Sequence, residues 1–427
     1  MIDIKIFRQN PEIIRESERK RFRDPNRVDE VVRLDAEWRK TRVKIDQLRK
    51  DRNQLSKQIG ILKKEKEKVD SIVAQVSKIK NKIANLEEQE DSLKKERDKL
   101  RYTIGNILHE SVPVGEEGEN TVVRKGGTKR VFSFTPKGHA DLIEGLQIVE
   151  LKKAAEIAGA RTYYLKGDLV FLNFGLLRFA LDFLVYEKGF TPFWTPYFMK
   201  KEIMEGASEL ADFENQLYKD KAEDAYFIAT SEQTLAALHW NEIINPKDLP
   251  LKYAGYSANF RKEAGSHGKD TKGIFRVHQF DKIEQFVFCK AEDSWIMQEE
   301  LTANAEELIK RLKLPYQIVN IASGELNDNA AKKIDIEVWF PAQQAYRELG
   351  SCSNCTDYQA RKMNIRVGIV GAGEKENVHT LNSTAIATER LICAILENFQ
   401  REDGTVEIPK VLQKYVPFNV LKPPDQG

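Results

Sequence analysis

The chain has 427 residues, with 68 Lys plus Arg against 66 Asp plus Glu. The resulting net charge of +2 excludes a polycation that holds nucleic acid by bulk charge, so any RNA partner must be met by a local patch. Four cysteines are too few to staple a chain this long, and no apolar run is expected to approach the roughly 18 residues of a membrane span, so a reducing, cytoplasmic setting with no membrane partner is expected.

Apolar residues at Val31, Leu34, Trp38, Ile45, Leu48, Leu55, Ile59 and Leu62 fit a heptad seam and predict one long helix. A second seam, in a different phase, runs from Ile72 through Val76, Ile79, Ile83, Leu86, Leu93 and Leu100 to Ile104 and Ile107. The slip falls between Val69 and Ile72, where Asp70 and Ser71 can cap a new helix. Two helices are therefore expected to fold back as an antiparallel coiled-coil hairpin about 50 Å long. Residues 39–68 hold twelve Lys or Arg against four acids. Lys57, Lys63, Lys64, Lys66 and Lys68 lie towards the expected tip, and Lys78, Lys80 and Lys82 extend the patch on the second helix. From charge alone, a solvated coiled-coil face and a phosphate-binding arm are both open readings.

Pro113, Gly115, Gly118, Gly126 and Gly127 mark a linker over 111–130, dividing a helical domain at 1–110 from a second domain at 131–427. The second domain reads as a helix over Asp141–Ala158, the apolar run 169–172, a helix over Asn173–Tyr186 and a strand over Thr191–Tyr197. Two strand-like runs, 251–263 and 274–289, flank a glycine-bearing loop at 264–273 and resemble a long hairpin. A helix at 293–312, strands at 316–321, 335–340 and 345–351, and a helix at 385–399 follow. The expected fold class is α+β, a helical hairpin plus a mostly antiparallel sheet flanked by helices.

No Gly-x-x-x-x-Gly-Lys-Ser/Thr loop occurs, and Gly371-Ala372-Gly373 lacks the third glycine of a dinucleotide loop. Arginine takes their place. Arg261 ends the first hairpin strand and Arg276 is expected on the second, so two guanidinium groups can face one polyphosphate. Alternation would put Arg276, His278 and Phe280 on one face, with Glu284 in step, and the Phe280 ring can stack on a base. Surface arginines paired with Glu263 and Glu284 remain an alternative at this point.

The segment Phe260-Arg261-Lys262-Glu263-Ala264-Gly265-Ser266 through Arg276-Val277-His278-Gln279-Phe280-Asp281-Lys282-Ile283-Glu284 resembles motif 2 of the class II aminoacyl-tRNA synthetases, in its seryl-tRNA synthetase form. Gly189-Phe190 through Pro196 resembles motif 1, Thr230-Ser231-Glu232 a serine-binding loop, and Asn382-Ser383-Thr384 through Arg390 motif 3. Arg347-Glu348-Leu349-Gly350-Ser351-Cys352-Ser353-Asn354-Cys355 is similar to the archaeal and eukaryotic branch of that family.

The resemblance implies an ATP-dependent serine–tRNA ligase acting on L-serine and tRNA(Ser), with tRNA(Sec) as a second candidate, working as a homodimer. Arg261 would hold the ATP α-phosphate and Arg276 the γ-phosphate, while Phe280 and Arg390 sandwich adenine. Lys262, Glu263, Val277, Leu349 and Gly350 complete the implied nucleotide site, with Arg261, Glu263, Arg276 and Arg390 the catalytic set. Glu348 and Ser351 would ligate Mg²⁺. Thr230, Ser231, Glu232, Arg261, Glu284, Asn382 and Thr384 would surround the serine, and the eight tip lysines would bind tRNA. Zinc is not expected, because Cys352-x-x-Cys355 is half a site and Cys289 and Cys393 are not spaced as its partner pair. Val416 to Gly427 departs from the family pattern and receives no role.

Overall fold

The structure, a computed structural model, describes residues 1–208, 214–264, 272–369, 371, 373 and 375–424. Gly265 and Ser266 of the hairpin motif, Ala372, and the last three residues of the tail lie outside the described residues. The chain divides into two compact units, Ile2–Ile107 and Leu108–Gly427, the second including Met1.

The first unit is helical. Two short helices, α1 (Ile4–Gln9) and α2 (Pro11–Lys20), precede α3 (Asn26–Lys64) and α4 (Asp70–Arg101), which pair along the two seams. The expected caps differ in detail. Val69 stands at the N-cap without a side-chain bond, and Asp70 begins the helix, where its charge suits the positive end of the dipole. The helix also ends at Arg101, earlier than the seam suggested. Ile104 is fully buried but lies beyond the helix, so its apolar character reflects the core rather than a further turn.

Burial along the hairpin is uneven. The buried residues of α3 stop at Ile45, and in α4 only Ile83, Arg97 and Arg101 are buried. Asp35, 1% exposed, is gripped by arginines from three helices. Arg8 Nε and Nη2 donate to its two oxygens at 2.7 and 2.8 Å, Arg97 Nη1 at 2.9 Å and Arg39 Nε at 3.0 Å. Further out, Arg49 pairs with Glu87 at 2.7 Å and Arg42 with Glu90 at 3.6 Å.

The second unit is built on an eight-stranded sheet. In chain order its strands are β1 (Thr121–Gly126), β2 (Thr191–Trp194), β3 (Leu251–Phe260), β4 (Gln279–Cys289), β5 (Tyr316–Asn320), β6 (Lys332–Phe340), β7 (Ala345–Asn354) and β8 (His379–Ala387). Their order across the sheet is β1-β5-β6-β7-β8-β4-β3-β2, and only the β2–β3 pairing is parallel. Helices α5 (Asp168–Asp182), α6 (Ser231–Ala236), α7 (Ser294–Arg311) and α8 (Thr388–Phe399) pack on the sheet. β4 sits near the centre with Phe286, Val287, Phe288 and Cys289 all fully buried, as a strand covered on both faces requires.

Several expectations are corrected. The stretch 111–130 contains β1, an edge strand, because Thr121 to Gly126 pairs with β5 despite the surrounding glycines. The helix expected over 141–158 is two helices, His139–Leu146 and Lys152–Ala158, since Gln147 takes a left-handed conformation (φ 54°) that ends the first. The run 169–172 belongs to α5. The segment Asp168–Glu187, contrary to expectation, is long and apolar enough to span a membrane, yet Leu169, Leu172, Leu176, Phe179 and Ala180 insert into the core, which accounts for its composition. The hairpin strands are shorter than expected, leaving Arg261 to Glu263 and residues 274–278 outside them. Arg276 and His278 therefore do not alternate on a strand with Phe280. β8 was not expected, and residues 385–387 finish it rather than beginning the last helix.

Candidate active site

A polar cavity of about 560 Å³ opens over the middle of the sheet. β4 supplies its floor: Phe280, Lys282 and Glu284 are two residues apart and face the cavity together. β8 adds Asn382 and Thr384, with Thr384 directly opposite Glu284. β7 adds Glu348, Leu349, Gly350 and Ser351. Positions three apart on a regular strand face opposite sides, but here the β6–β7 register slips between Ile336 and Glu337. That bulge brings both Glu348 and Ser351 to the cavity. The hairpin ends bring Arg261, Glu263, Arg276 and Val277, the start of α6 brings Thr230 and Glu232, and α8 brings Glu389 and Arg390.

Two residues of the expected set fall elsewhere. Ser231 is fully buried and donates through its hydroxyl to the Gly255 carbonyl at 3.1 Å, holding α6 to β3. Lys262 is exposed; its backbone N–H donates to Gln216 O at 2.8 Å and its ammonium lies 5.8 Å from the centre of the Tyr218 ring. Both positions match the family pattern, but their side chains do not line the cavity.

One end of the cavity is arranged for anions. Arg261 Nε donates to Ala229 O at 3.2 Å, and its guanidinium lies 5.2 Å from the centre of the Phe280 ring. Arg276 donates to Glu263 at 3.0 Å. Arg390 donates to the Glu348 backbone carbonyl at 3.1 Å and pairs with its carboxylate at 3.3 Å, while its guanidinium lies 5.5 Å from the Phe275 ring. In this state, then, Arg261 covers Phe280 and Arg390 stands over Phe275, rather than the two flanking one open slot. Burial would raise the Glu348 carboxyl, but Arg390, Lys333 and Arg261 outweigh it and hold the group below its ordinary value. Asp335, opposite Ser351, keeps a buried oxygen with no hydrogen-bond partner, and burial together with Glu348 and Glu337 lifts its carboxyl to about 8. Glu348 and Ser351, which line the cavity, offer a carboxylate and a hydroxyl, oxygen donors of the hard kind that suits a divalent cation such as Mg²⁺.

The other end is arranged for a small zwitterion. Thr230 caps α6 by accepting the Glu232 N–H at 3.1 Å. Glu284, 1% exposed, pairs with Lys282 at 2.5 Å and accepts from the Thr384 hydroxyl at 3.3 Å. Burial, with a further push from Glu284, raises Glu232 to about 7 against the pull of Lys282, Gln359 and Arg261. Gln359 Nε2 donates to Glu232 Oε1 at 2.9 Å. Lys282, Lys333, Gln359 and Glu389 were not nominated from sequence. Of these, Lys282 was within reach, since it alternates with Phe280 and Glu284.

The four cysteines are buried, and Cys352 donates to the Gln298 carbonyl while Cys355 accepts from Asn382, each at 3.7 Å. Among the described residues no group of three or more His, Cys, Asp or Glu side chains could hold a metal. On the first unit, Lys57, Lys63, Lys64, Lys66, Lys68, Lys78, Lys80 and Lys82 are all exposed around the α3–α4 turn. Among the described residues none of the eight forms an ion pair, in contrast to Arg42 and Arg49.

The family model for the seryl-tRNA synthetase N-terminal domain matches residues 1–108, and that for the class II tRNA synthetase core domain (G, H, P, S and T) matches residues 213–399. The serine–tRNA ligase of Methanosphaera stadtmanae is 51% identical over 97% of this chain and 98% of its own length. The chain belongs to the seryl-tRNA synthetase family. The cytoplasmic serine–tRNA ligase of Arabidopsis thaliana is also 51% identical, over 97% of this chain and 95% of that protein. The crystal structure of seryl-tRNA synthetase from Pyrococcus horikoshii complexed with ATP matches with a TM-score of 0.96 at 46% identity, covering all of both chains. A seryl-tRNA synthetase needs an anion end and a zwitterion end in one cavity, and both occur here.

Proposed function

We propose that this chain activates L-serine with ATP and transfers the seryl group to tRNA(Ser). The observation that carries this reading is the single cavity in which Arg261, Arg276 and Arg390 stand at one end and Thr230, Glu232, Glu284 and Thr384 at the other. Arg261 meets the α-phosphate, and its closeness to Phe280 fits a nucleotide whose α-phosphate and base lie one sugar apart. Arg276 meets the γ-phosphate, and Arg390 closes over adenine with Phe280. Glu232 and Glu284 receive the serine ammonium and hydroxyl.

The serine carboxylate attacks the α-phosphorus in line, giving seryl-adenylate and pyrophosphate. The 3′-terminal hydroxyl of the tRNA then attacks the adenylate carbonyl and AMP leaves. No covalent enzyme nucleophile is required. The arginines hold the reactants in register and offset charge on the phosphate oxygens, so positioning and electrostatics supply the rate. Glu348 and Ser351 would hold Mg²⁺, which would supply positive charge to offset that of the phosphates.

The unpaired tip lysines of the first unit support tRNA backbone binding, with tRNA(Sec) as a second candidate. Trp194 of β2, 76% exposed, and Phe198, 63% exposed, support pairing with a second copy along motif 1. Cytoplasmic location follows the Arabidopsis relative. ATP–pyrophosphate exchange with each of the twenty amino acids, followed by charging of total tRNA, tests the proposal. Exchange driven best by an amino acid other than serine, or exchange without tRNA charging, would reject it.

A further inference from the structure

Lys282 occupies the centre of the amino-acid end of the cavity, and the reaction described above assigns it nothing. It is 5% exposed, and its ammonium reaches two groups at once, lying 2.5 Å from Glu284 Oε2 and donating to Thr230 Oγ1 at 2.7 Å. Each contact removes a choice from its partner. Thr230 Oγ1 already accepts the Glu232 N–H at 3.1 Å. A hydroxyl offers two lone pairs and one hydrogen, so with both acceptor positions filled Thr230 is left to donate. On Glu284, Oε2 takes both Lys282 and the Thr384 hydroxyl, which leaves Oε1 for a ligand's donor.

The charge balance points the same way. When Glu232 is ionised, it and Glu284 contribute two negative charges and Lys282 one positive, leaving one negative charge that a substrate ammonium neutralises. Without the lysine, two carboxylates in a desolvated site repel and one retains a proton.

We propose, on the reading that this pocket takes serine, that Lys282 is a positioning residue for amino-acid selection. It turns Thr230 into a donor, holds Glu284 by one oxygen and leaves a single negative charge matched to one ammonium, without touching substrate itself.

Serine-dependent pyrophosphate exchange by the unaltered full-length enzyme comes first. Its absence overturns the serine reading, whereas its presence leaves the variants to decide the role of Lys282. Lys282→Met should raise the serine KM at least about tenfold, the scale of losing one hydrogen bond to a charged group, and leave the ATP KM within about twofold. The acid limb of kcat/KM for serine should move to higher pH. Lys282 helps to lower the Glu232 carboxyl, and Arg261 and Glu284, the other charged groups acting on it, remain in place. If Lys282→Met does not fold, Lys282→Gln keeps a donor for Thr230 without the charge. It should retain discrimination against alanine yet shift the acid limb. A folded variant with an unchanged serine KM would overturn the proposal. So would serine and ATP KM values that rise together with no change in the pH profile, since a merely structural lysine would give that result.

Discussion

Arg276 donates to Glu263 at 3.0 Å, an ion pair joining the two ends of the hairpin loop. Glu263 adopts a left-handed backbone (φ 49°), uncommon for a side chain of this size, and its carboxylate meets the arginine proposed to hold the γ-phosphate. ATP must therefore draw Arg276 away from, or share it with, an existing anion. Arg276→Ala should raise the ATP KM by about tenfold or more while the serine KM changes by less than about twofold. Equal rises in the two constants would show that Arg276 supports the whole cavity rather than one phosphate.

Arg261 is tied to Ala229 O and packed beside Phe280, so it is oriented before substrate arrives. Arg261→Ala should lower single-turnover adenylate formation by at least about 10²-fold, the effect of losing one preorganised charge contact. Phe280→Leu should weaken ATP more than serine, because stacking is lost while the carboxylates and hydroxyls remain. Steady-state constants for both substrates decide the second case.

Thr384 faces Glu284 from the neighbouring strand, and a Cβ added at Gly350 would lie 2.6 Å from Thr384 Cβ. Thr384→Ala should raise the serine KM and narrow the margin over alanine, since a partner of the substrate hydroxyl is gone. Gly350→Ala should have the same signature by displacing Thr384. Misactivation of alanine, measured by pyrophosphate exchange, reads both. Unaltered discrimination in Thr384→Ala would remove this residue from the serine site.

The Asp35 knot gives a pH-dependent prediction for the helical unit. Burial raises its carboxyl, but Arg8 and Arg97 prevail and hold it below the ordinary value of 3.8. A depressed folded-state value gives a stabilisation that is fully present above the unfolded value and is lost as pH falls through the folded-state value. Asp35→Asn should cost about 2 kcal/mol near neutrality, less than a fully buried pair because Arg8 and Arg39 reach solvent. The gap from wild type should begin to narrow below about pH 4, where the unfolded aspartate takes up a proton, and close only below the depressed folded-state value. Thermal melts of the helical signal across pH would show a constant gap if the knot contributed nothing.

The tip lysines should matter for tRNA and not for adenylate formation. Replacing residues 38–100 by a short Gly/Ser turn should leave serine-dependent pyrophosphate exchange nearly intact and lower tRNA aminoacylation by orders of magnitude. Charge reversal at Lys63, Lys64, Lys66 and Lys68 should flatten the salt dependence of tRNA binding, each lost duplex phosphate contact removing up to about 0.9 from the log–log slope. Charging at the full rate by the shortened protein would make the hairpin a spacer.

Much of this architecture was legible because period and motif survive in a sequence. The heptads along Val31–Leu62 and Ile72–Leu100 located α3 and α4, and their phase slip located the turn. Ile104 misled because burial and helicity look alike in an apolar residue. β8 was missed because Thr380, Asn382, Ser383 and Thr384 are polar, and a strand that spends its inward positions on a site does not alternate as a core strand does. The motif placed Arg261, Arg276, Glu348 and Thr384 around one cavity, yet it says where a residue sits and not where its side chain turns. Ser231 turns to the β3 backbone and Lys262 to the Tyr218 ring for that reason. The bulge at Leu349, which brings Glu348 and Ser351 to one cavity, has no local signature at all.

The seam that joins α3 to α4 has one more property. Beyond Ile45 the only buried residues of either helix lie from Ile83 onward, so the outer turns are held by one another rather than by a core. A matched pair of seven-residue insertions, one in each helix, would preserve the phase of both seams and carry the basic tip outward by about 10 Å. The hairpin is thus a ruler graduated in heptads, and its reach could be reset across a lineage, or by an engineer, while the chemistry at Arg261 and Glu284 stayed as it is.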